Sequence, residues 1–550
     1  FRRVLFRSID YKHDFLNILQ RGWYYMLKKM AFSKDDPLLA MKTSDLGSQL
    51  GALQRELKDT DRSLLIILSG WEVTGKGQIL NDLVRELDPR YYHLSQFDDA
   101  TEEDKKHPML WRFFLAFPTH GRVGIFDHSF YRGLLHHPDI SNLDFLRSVR
   151  DITFTERLLT NDGCLVMKFF LDQTEKQMAE ALDALSKDKN RSFLLEDFDN
   201  YQLKHYDKFN AHFERVLNNT TTLSCPWRVI DASDKKMASK QILATLIRCL
   251  EWHLDKPAET CAEPLPPVVY NPLANVDLKK TLPDEEYRAK LRPLQKEAAA
   301  LLYQLYLHRI PAIIVFEGTD ASGKGGCIKR LTRLMDPRTY SVATTAAPTK
   351  YELDHHYLWR FYRTFPTPGH LTIYDRSWYG RVMVERIEGF TSTQRWQEAY
   401  TEINEMEATL VEDGYILLKF LLIIDKEEQL ARFKDRENTP EKHYKITDED
   451  WRNHDKFDEY VEAMNDMIVR TSTSVAPWIV MPSMDKRYAR IHVLEHFIDA
   501  ARAAFEKRGI KVDVPKALME ETEHDIHAEN KVKTKQKEKK AESNGTQQKG

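Results

Sequence analysis

Short apolar, β-branched runs alternate along the chain with longer, charged segments of amphipathic spacing. In the C-terminal half the runs are Ala312–Phe316, Tyr340–Thr344, Leu371–Asp375, Tyr415–Ile424 and Trp478–Met481. Strands of continuous apolar character separated by helical segments are the pattern of a parallel sheet covered by helices. The expected class is α/β throughout.

The pattern occurs twice. Arg62 to Gly77 reads RSLLIILSGWEVTGKG and Ile310 to Gly325 reads IPAIIVFEGTDASGKG, with Gly70 and Gly318 248 positions apart. That offset also pairs Lys76 with Lys324, Asp88-Pro89-Arg90 with Asp336-Pro337-Arg338, Trp111-Arg112-Phe113 with Trp359-Arg360-Phe361, Asp127 with Asp375 and Tyr131 with Tyr379. Beyond these the offset becomes 251, pairing Lys168 with Lys419 and Pro226-Trp227 with Pro477-Trp478. A repeat of about 220 residues is a whole domain and not a solenoid unit. The expected organisation is an N-terminal extension (1–44), a first domain (45–255), a Pro- and Glu-rich linker (256–274), a second domain (275–514) and a polar tail (515–550) too poor in apolar residues to order itself. Met26, Met30 and Met41 are alternative starts, and a short amphipathic lead-in helix is the other reading of the extension.

Composition narrows the function classes. With 81 Lys+Arg against 84 Asp+Glu the net charge is −3, which gives no bulk attraction to nucleic acid or an acidic membrane. No run approaches the ~20 apolar residues that span a bilayer. Cys164, Cys225, Cys249, Cys261 and Cys327 are odd in number, scattered and without a CxxC pair. Such usage suits free thiols in the cytoplasm better than a disulfide scaffold or a zinc site.

Gly318-Thr-Asp-Ala-Ser322-Gly323-Lys324-Gly325 follows an apolar run and opens a helical segment, Gly326 to Leu334. This is the context of a phosphate-binding loop: glycines let backbone N–H groups converge on a phosphate, the helix N-terminus adds positive potential, and Lys324 adds a movable charge. The Ser/Thr that usually follows the lysine is replaced by Gly325, so the hydroxyl ligand for Mg²⁺ is missing. Asp320 and Asp375 are the candidate metal ligands, both expected at the carboxyl ends of neighbouring strands where ligands bind. After Asp375 the basic, aromatic stretch Arg376-Ser-Trp-Tyr-Gly-Arg381-Val-Met-Val-Glu385-Arg386 reads as the start of a mobile lid, with at least one of Trp378 and Tyr379 in the core. Lys445, in a segment predicted to be helical, and Lys486, Arg487 and Arg490 extend a basic groove beyond the length of a nucleoside triphosphate.

FEGTDASGKGG, LWRFYRTFPTPG before IYDRSWYGRVMVER, and PW-x₆-DKRYAR resemble the polyphosphate kinase 2 family, and the fused arrangement resembles its two-domain polyphosphate:AMP phosphotransferase branch. The resemblance covers roughly residues 45–255 and 280–510. It implies two tandem P-loop kinase-like domains, each a parallel sheet flanked by helices, with a helical lid. It also implies Mg²⁺-dependent transfer of a phosphoryl group from inorganic polyphosphate to AMP to give ADP, with Mn²⁺ as the alternative ion. Within it Asp320 and Asp375 would organise metal and acceptor phosphate, and Lys324 and Arg376 would neutralise the transferring group. Arg381, Glu385 and Arg386 would belong to the lid, and Lys445, Lys486 and Arg490 to a polyphosphate channel. A homo-oligomer remains open.

At the same offsets the first repeat departs where chemistry would be done: Thr319-Asp320 becomes Trp71-Glu72, Arg376 becomes His128, Lys445 becomes Leu194 and Arg490 becomes Ser239. It is expected to be structural, with a weak polyphosphate-binding role as the lesser reading; the retained Lys76 and Asp127 imply that its pocket keeps its shape. The adjacent pairs His136-His137 and His355-His356 lack the i, i+4 spacing of metal ligands on one helix face and read as surface residues. The competing functions are polyphosphate-dependent phosphorylation of ADP to ATP or its reverse, an ATP-using nucleotide kinase, and a non-catalytic polyphosphate-binding protein.

Overall fold

A computed structural model describes residues 36–255, 265–440 and 446–512. The expected polar tail, Lys445 and Cys261 lie outside these residues. Each repeat forms one five-stranded, all-parallel sheet. In the first repeat the strands are β1 (Ser63–Gly70), β2 (Tyr92–Gln96), β3 (Val123–Asp127), β4 (Cys164–Asp172) and β5 (Trp227–Asp231), in the order β2-β3-β1-β4-β5. In the second they are β6 (Ala312–Gly318), β7 (Tyr340–Thr344), β8 (Leu371–Asp375), β9 (Ile416–Ile423) and β10 (Trp478–Pro482), in the corresponding order β7-β8-β6-β9-β10.

The central strands β1 and β6 are buried along almost their whole length because helices cover both faces, which is why their sequences run apolar without alternation. The helices Asp284–Leu307 and Lys486–Lys507 close one face of the second sheet, packing Leu301, Leu305, Val493 and Phe497 against Ile314 and Phe316. Thr43–Leu57 and Lys235–Asp255 do the same for the first, through Leu46, Leu50, Ile242 and Leu246.

A second device recurs in both repeats. Lys419, buried in β9, donates to Glu407 Oε2 (2.7 Å), to the Tyr379 hydroxyl (2.9 Å) and to the Thr471 carbonyl (2.8 Å). Lys168, Glu156, Tyr131 and Thr220 build the same network in the first repeat. A fully buried ammonium is tolerable only with all three protons donated.

Two compact units result. Among the described residues, one takes 36–255 and Leu265 together with Ala347–Arg363 and Thr391–Glu405; the other takes Pro266–Ala346, Thr364–Phe390, 406–440 and 446–512. Two segments of the second sequence repeat therefore pack within the first unit. There Tyr362 stacks on Phe114 at 3.9 Å, and Asp162 receives both Arg395 (2.5 Å) and His120 (3.1 Å). His355 and His356 are buried, and His136 is half-buried, so of the two adjacent pairs only His137 is a surface residue. No described helix is long and apolar enough to cross a membrane.

Candidate active site

The phosphate loop of the second repeat leaves the end of β6 and enters the helix Lys324–Leu331. Gly318 must be glycine: its φ is +135°, and a Cβ there would lie 2.1 Å from the Leu422 carbonyl oxygen. Ala321 and Arg376 also hold positive φ (59° and 63°), as do their counterparts Val73 and His128 (54° and 51°). Such conformations cost stability in non-glycine residues and mark backbone held for a purpose.

Asp320 is the hub. Its Oδ1 receives Arg376 at 2.6 Å and its Oδ2 receives the Asn453 amide at 2.8 Å, while its backbone carbonyl accepts from Gln429 at 3.1 Å. Burial pushes its carboxyl upward, but the charges of Arg376 and Lys324 and the Asn453 and Arg376 hydrogen bonds outweigh that and hold it below the ordinary carboxylate range. Asp375 ends β8 opposite Phe316 of β6, one strand over from the loop, within electrostatic reach of Lys324. Lys324 is 9% exposed and donates to the carbonyls of Gly318 (2.6 Å) and Thr319 (3.2 Å). Burial lowers its pKa first, the neighbouring Arg376 adds to this, and the acids around it only partly compensate. Two loop hydroxyls, Thr319 Oγ1 and Ser322 Oγ, are buried without a hydrogen-bond partner among the described residues. Buried hydroxyls carry a desolvation cost unless a ligand completes them, and a phosphate oxygen is an acceptor that could do so.

Beside the loop opens a cavity lined by Met383, Val384, Phe457, Tyr460 and Met464 on its apolar side and by Asp320, Arg376 and Asn453 on its polar side. Tyr460 donates to Asn453 at 3.1 Å, so the wall of the cavity also orients the amide that holds Asp320. An apolar slot ending in a cationic phosphate site has the form of a nucleotide pocket.

The structure brings Lys486 and Arg490 to the same end. They stand four residues apart on the first turns of the helix Lys486–Lys507, and Arg490 approaches Gly326 at the start of the loop helix. Burial lowers the Lys486 pKa, and the charges of Arg432 and Arg490 lower it further. Arg487 points elsewhere, to Asp485 and Asp284. Of the residues expected in the lid, Arg381 pairs with Glu385 at 3.2 Å and Arg386 with Asp466 at 2.7 Å. Trp378 and Tyr379 are both fully buried, each donating to Glu407, so both and not merely one belong to the core.

Sequence reasoning passed over Arg432, Asn453, Gln429 and Glu317. Arg432 donates to the carbonyls of Ala321 (2.8 Å), Ser322 (3.1 Å), Ser483 (2.6 Å) and Met484 (3.0 Å), and to Glu428 (2.6 Å), clamping the loop from behind. Glu317 accepts from both the backbone N–H and the hydroxyl of Ser377, fixing the turn that carries Arg376. A signal was available: at offset 251 Arg432 faces Ala181, one more cation that the first repeat lacks.

The corresponding pocket of the first repeat is filled, contrary to the expectation that its shape survives. Trp71, in the position of Thr319, is completely buried, stacks on Tyr206 at 4.2 Å and 6°, and meets Phe213 edge-on at 4.8 Å. Its indole also donates to Asp172. Tyr206 and Phe213 stand where the second repeat has Phe457 and Met464. An indole thus occupies the slot that the second repeat keeps open.

The profile of the family described as polyphosphate kinase 2 matches residues 33–257 and again 281–509. The chain is 39% identical over 475 residues to a polyphosphate:AMP phosphotransferase of Pseudomonas aeruginosa, covering 84% of this chain and 95% of that one. It is 38% identical over 455 residues to the protein of the same description from Pseudomonas syringae pv. tomato, covering 81% and 91%. A crystal structure from Pseudomonas aeruginosa assigned to polyphosphate kinase 2 superposes with a TM-score of 0.76 at 37% identity, covering 87% of this chain and 99% of that one.

Proposed function

The chain belongs to the polyphosphate kinase 2 family, and from that premise we propose that it is a polyphosphate:AMP phosphotransferase whose second repeat carries the reaction. The supporting observation is the run of positive charge in that repeat. Arg376 and Lys324 flank Asp320, and Lys486 and Arg490 continue past the loop helix. A nucleoside triphosphate is satisfied by a loop, its lysine and one metal ion. Cations clustered beyond that reach repel one another unless a longer polyanion runs between them.

AMP enters the apolar slot with its phosphate toward Arg376. An AMP phosphate oxygen attacks the terminal phosphorus of the polyphosphate, the P–O bond to the penultimate phosphate breaks, and the products are ADP and a polyphosphate shorter by one unit. No protein base is required, because the nucleophile is already anionic; positioning and neutralisation carry the rate. Lys324 and Arg376 neutralise the transferring group, while Lys486, Arg490 and the N-terminus of Lys324–Leu331 hold the donor. Arg432 keeps the loop in register from behind, and Asn453, on the wall of the slot, holds Asp320. The carboxylates of Asp320 and Asp375 are an oxygen donor set suited to Mg²⁺, or to Mn²⁺, and would hold it. The ion supplies further neutralisation of phosphate oxygens. Arg381, Glu385 and Arg386 form the lid that excludes water. The four described cysteines are free, which fits a cytoplasmic protein.

The test is ADP formation from AMP with Mg²⁺ and polyphosphates of defined length. Efficiency is expected to rise with donor length, ATP to serve poorly, and joint Lys486→Ala and Arg490→Ala substitution to weaken long donors more than short ones. A flat dependence on length with ATP as an equal donor would instead identify an ordinary nucleotide kinase.

A further inference from the structure

Three replacements in the first repeat fall on one spot. At the offset of 248, Asp320 becomes Glu72, Arg376 becomes His128 and Val384 becomes His136. A guanidinium–carboxylate pair is thereby exchanged for two imidazoles and a carboxylate. Worn positions drift toward unrelated residue types, whereas these three converge on one donor set. One ligand atom from each lies within 4.8 Å of the other two, and His136 Nε2 stands 3.4 Å from Glu72 Oε1. Ligands on a tetrahedral ion with bonds of about 2.0–2.1 Å sit about 3.3 Å apart, so small side-chain movements close the set.

The surroundings support a cation. Glu72 Oε1 is buried with only the long 3.4 Å approach of His136 Nε2 facing it, and Asp127 Oδ1, at the end of the adjacent strand β3, is buried without a hydrogen-bond partner among the described residues. Lys76 already places an ammonium against two of the ligands, 2.9 Å from His128 Nε2 and 3.2 Å from Glu72 Oε2. Its four-carbon stem can swing that charge out as another cation arrives. His136 is held in place by stacking on Phe198 at 4.6 Å, and Trp71, the neighbour of Glu72, closes the slot behind it.

We propose that Glu72, His128 and His136 bind one zinc-type divalent transition-metal ion, converting the filled pocket of the first repeat into a structural metal clamp. Two imidazoles with one carboxylate select a borderline ion over Mg²⁺, which prefers an octahedron of oxygen ligands. The ion would tie the loop that carries Glu72 to the end of β3 through His128 and to the short helix Arg132–Leu135 through His136, which follows it directly.

The test is calorimetric titration of the full-length, chelator-treated protein with ZnCl₂, with MgCl₂ as control. One Zn²⁺ per chain is expected, with a rise in melting temperature that Mg²⁺ does not reproduce. His128→Ala and His136→Ala should each weaken it at least tenfold. Lys76→Met, which keeps all three ligands and removes the competing ammonium, should tighten it. Co²⁺ in the wild-type protein should give the visible absorption of a four-coordinate site, so the assignment does not depend on the histidine variants folding. Absence of stoichiometric Zn²⁺ binding, retention of it in both histidine variants, or a Co²⁺ spectrum of six-coordinate character would overturn the proposal.

Discussion

In the proposed reaction Lys324 and Asp375 act on charge that develops during transfer and do not hold the core together. Lys324→Ala and Asp375→Asn should each lower turnover by ~10²–10³ while the circular-dichroism melt stays near wild type; near-normal turnover in either would remove it from the machinery. Arg432 differs, because its guanidinium is occupied by four backbone carbonyls and Glu428. Arg432→Lys keeps the charge but not the planar fork that reaches four carbonyls, so its loss of activity should approach that of Arg432→Ala. Thiol chemistry offers an independent residue-scale check. Burial pushes the thiols of Cys164, Cys225 and Cys327 up to about 12 and that of Cys249 upward. At pH 8 these four should resist a thiol-labelling reagent until denaturant is added, then react together; rapid native labelling of Cys327 would show that the loop helix opens.

Among the elements, the turn after β8 couples the site to the core, since it carries Arg376 at one end and Tyr379 at the other. Tyr379, Glu407, Lys419 and Thr471 join that turn, the helix Thr393–Glu412, β9 and the helix Phe457–Thr471 through one buried network. Burial raises the Glu407 pKa and lowers that of Lys419, so each depends on the other to stay charged. Lys419→Ala leaves a buried carboxylate unpaired and should cost about 3–5 kcal/mol in urea unfolding. Lys419→Met with Glu407→Leu, which removes both charges, should recover much of that loss. If the single variant unfolded like wild type, the network would not be what anchors the turn.

For the whole molecule, the sequence repeats and the compact units do not coincide. Residues 347–363 and 391–405 come from the second repeat but pack in the first unit. They bring buried Trp359, Tyr362, Tyr400 and Ile403 with them. Expressed alone, residues 275–515 would expose this apolar surface. The fragment should elute as aggregate in size-exclusion chromatography and lose activity, while the full chain does not. A monodisperse, active fragment would show that the first repeat is dispensable.

The duplication, the parallel α/β class and the phosphate loop were legible in the sequence because each rests on local order. Apolar runs set strands, glycines permit one backbone path, and a constant offset exposes a repeated unit. That Asp320, Lys324, Asp375 and Arg376 would gather at one sheet edge was legible for the same reason, since they stand in or beside those local motifs. Arg432 and Asn453 were not legible as partners of the loop: the repeat offset marks Arg432 only as a cation that the first repeat lacks, and each lies more than a hundred residues from the loop it holds until the sheet brings them together. Tertiary structure alone decided that Trp71 fills the first pocket, because whether an indole fits depends on Tyr206 and Phe213 arriving from a distant helix. It also decided that His128 and His136 face Glu72, since these side chains converge through chain crossings that no spacing rule along the sequence describes.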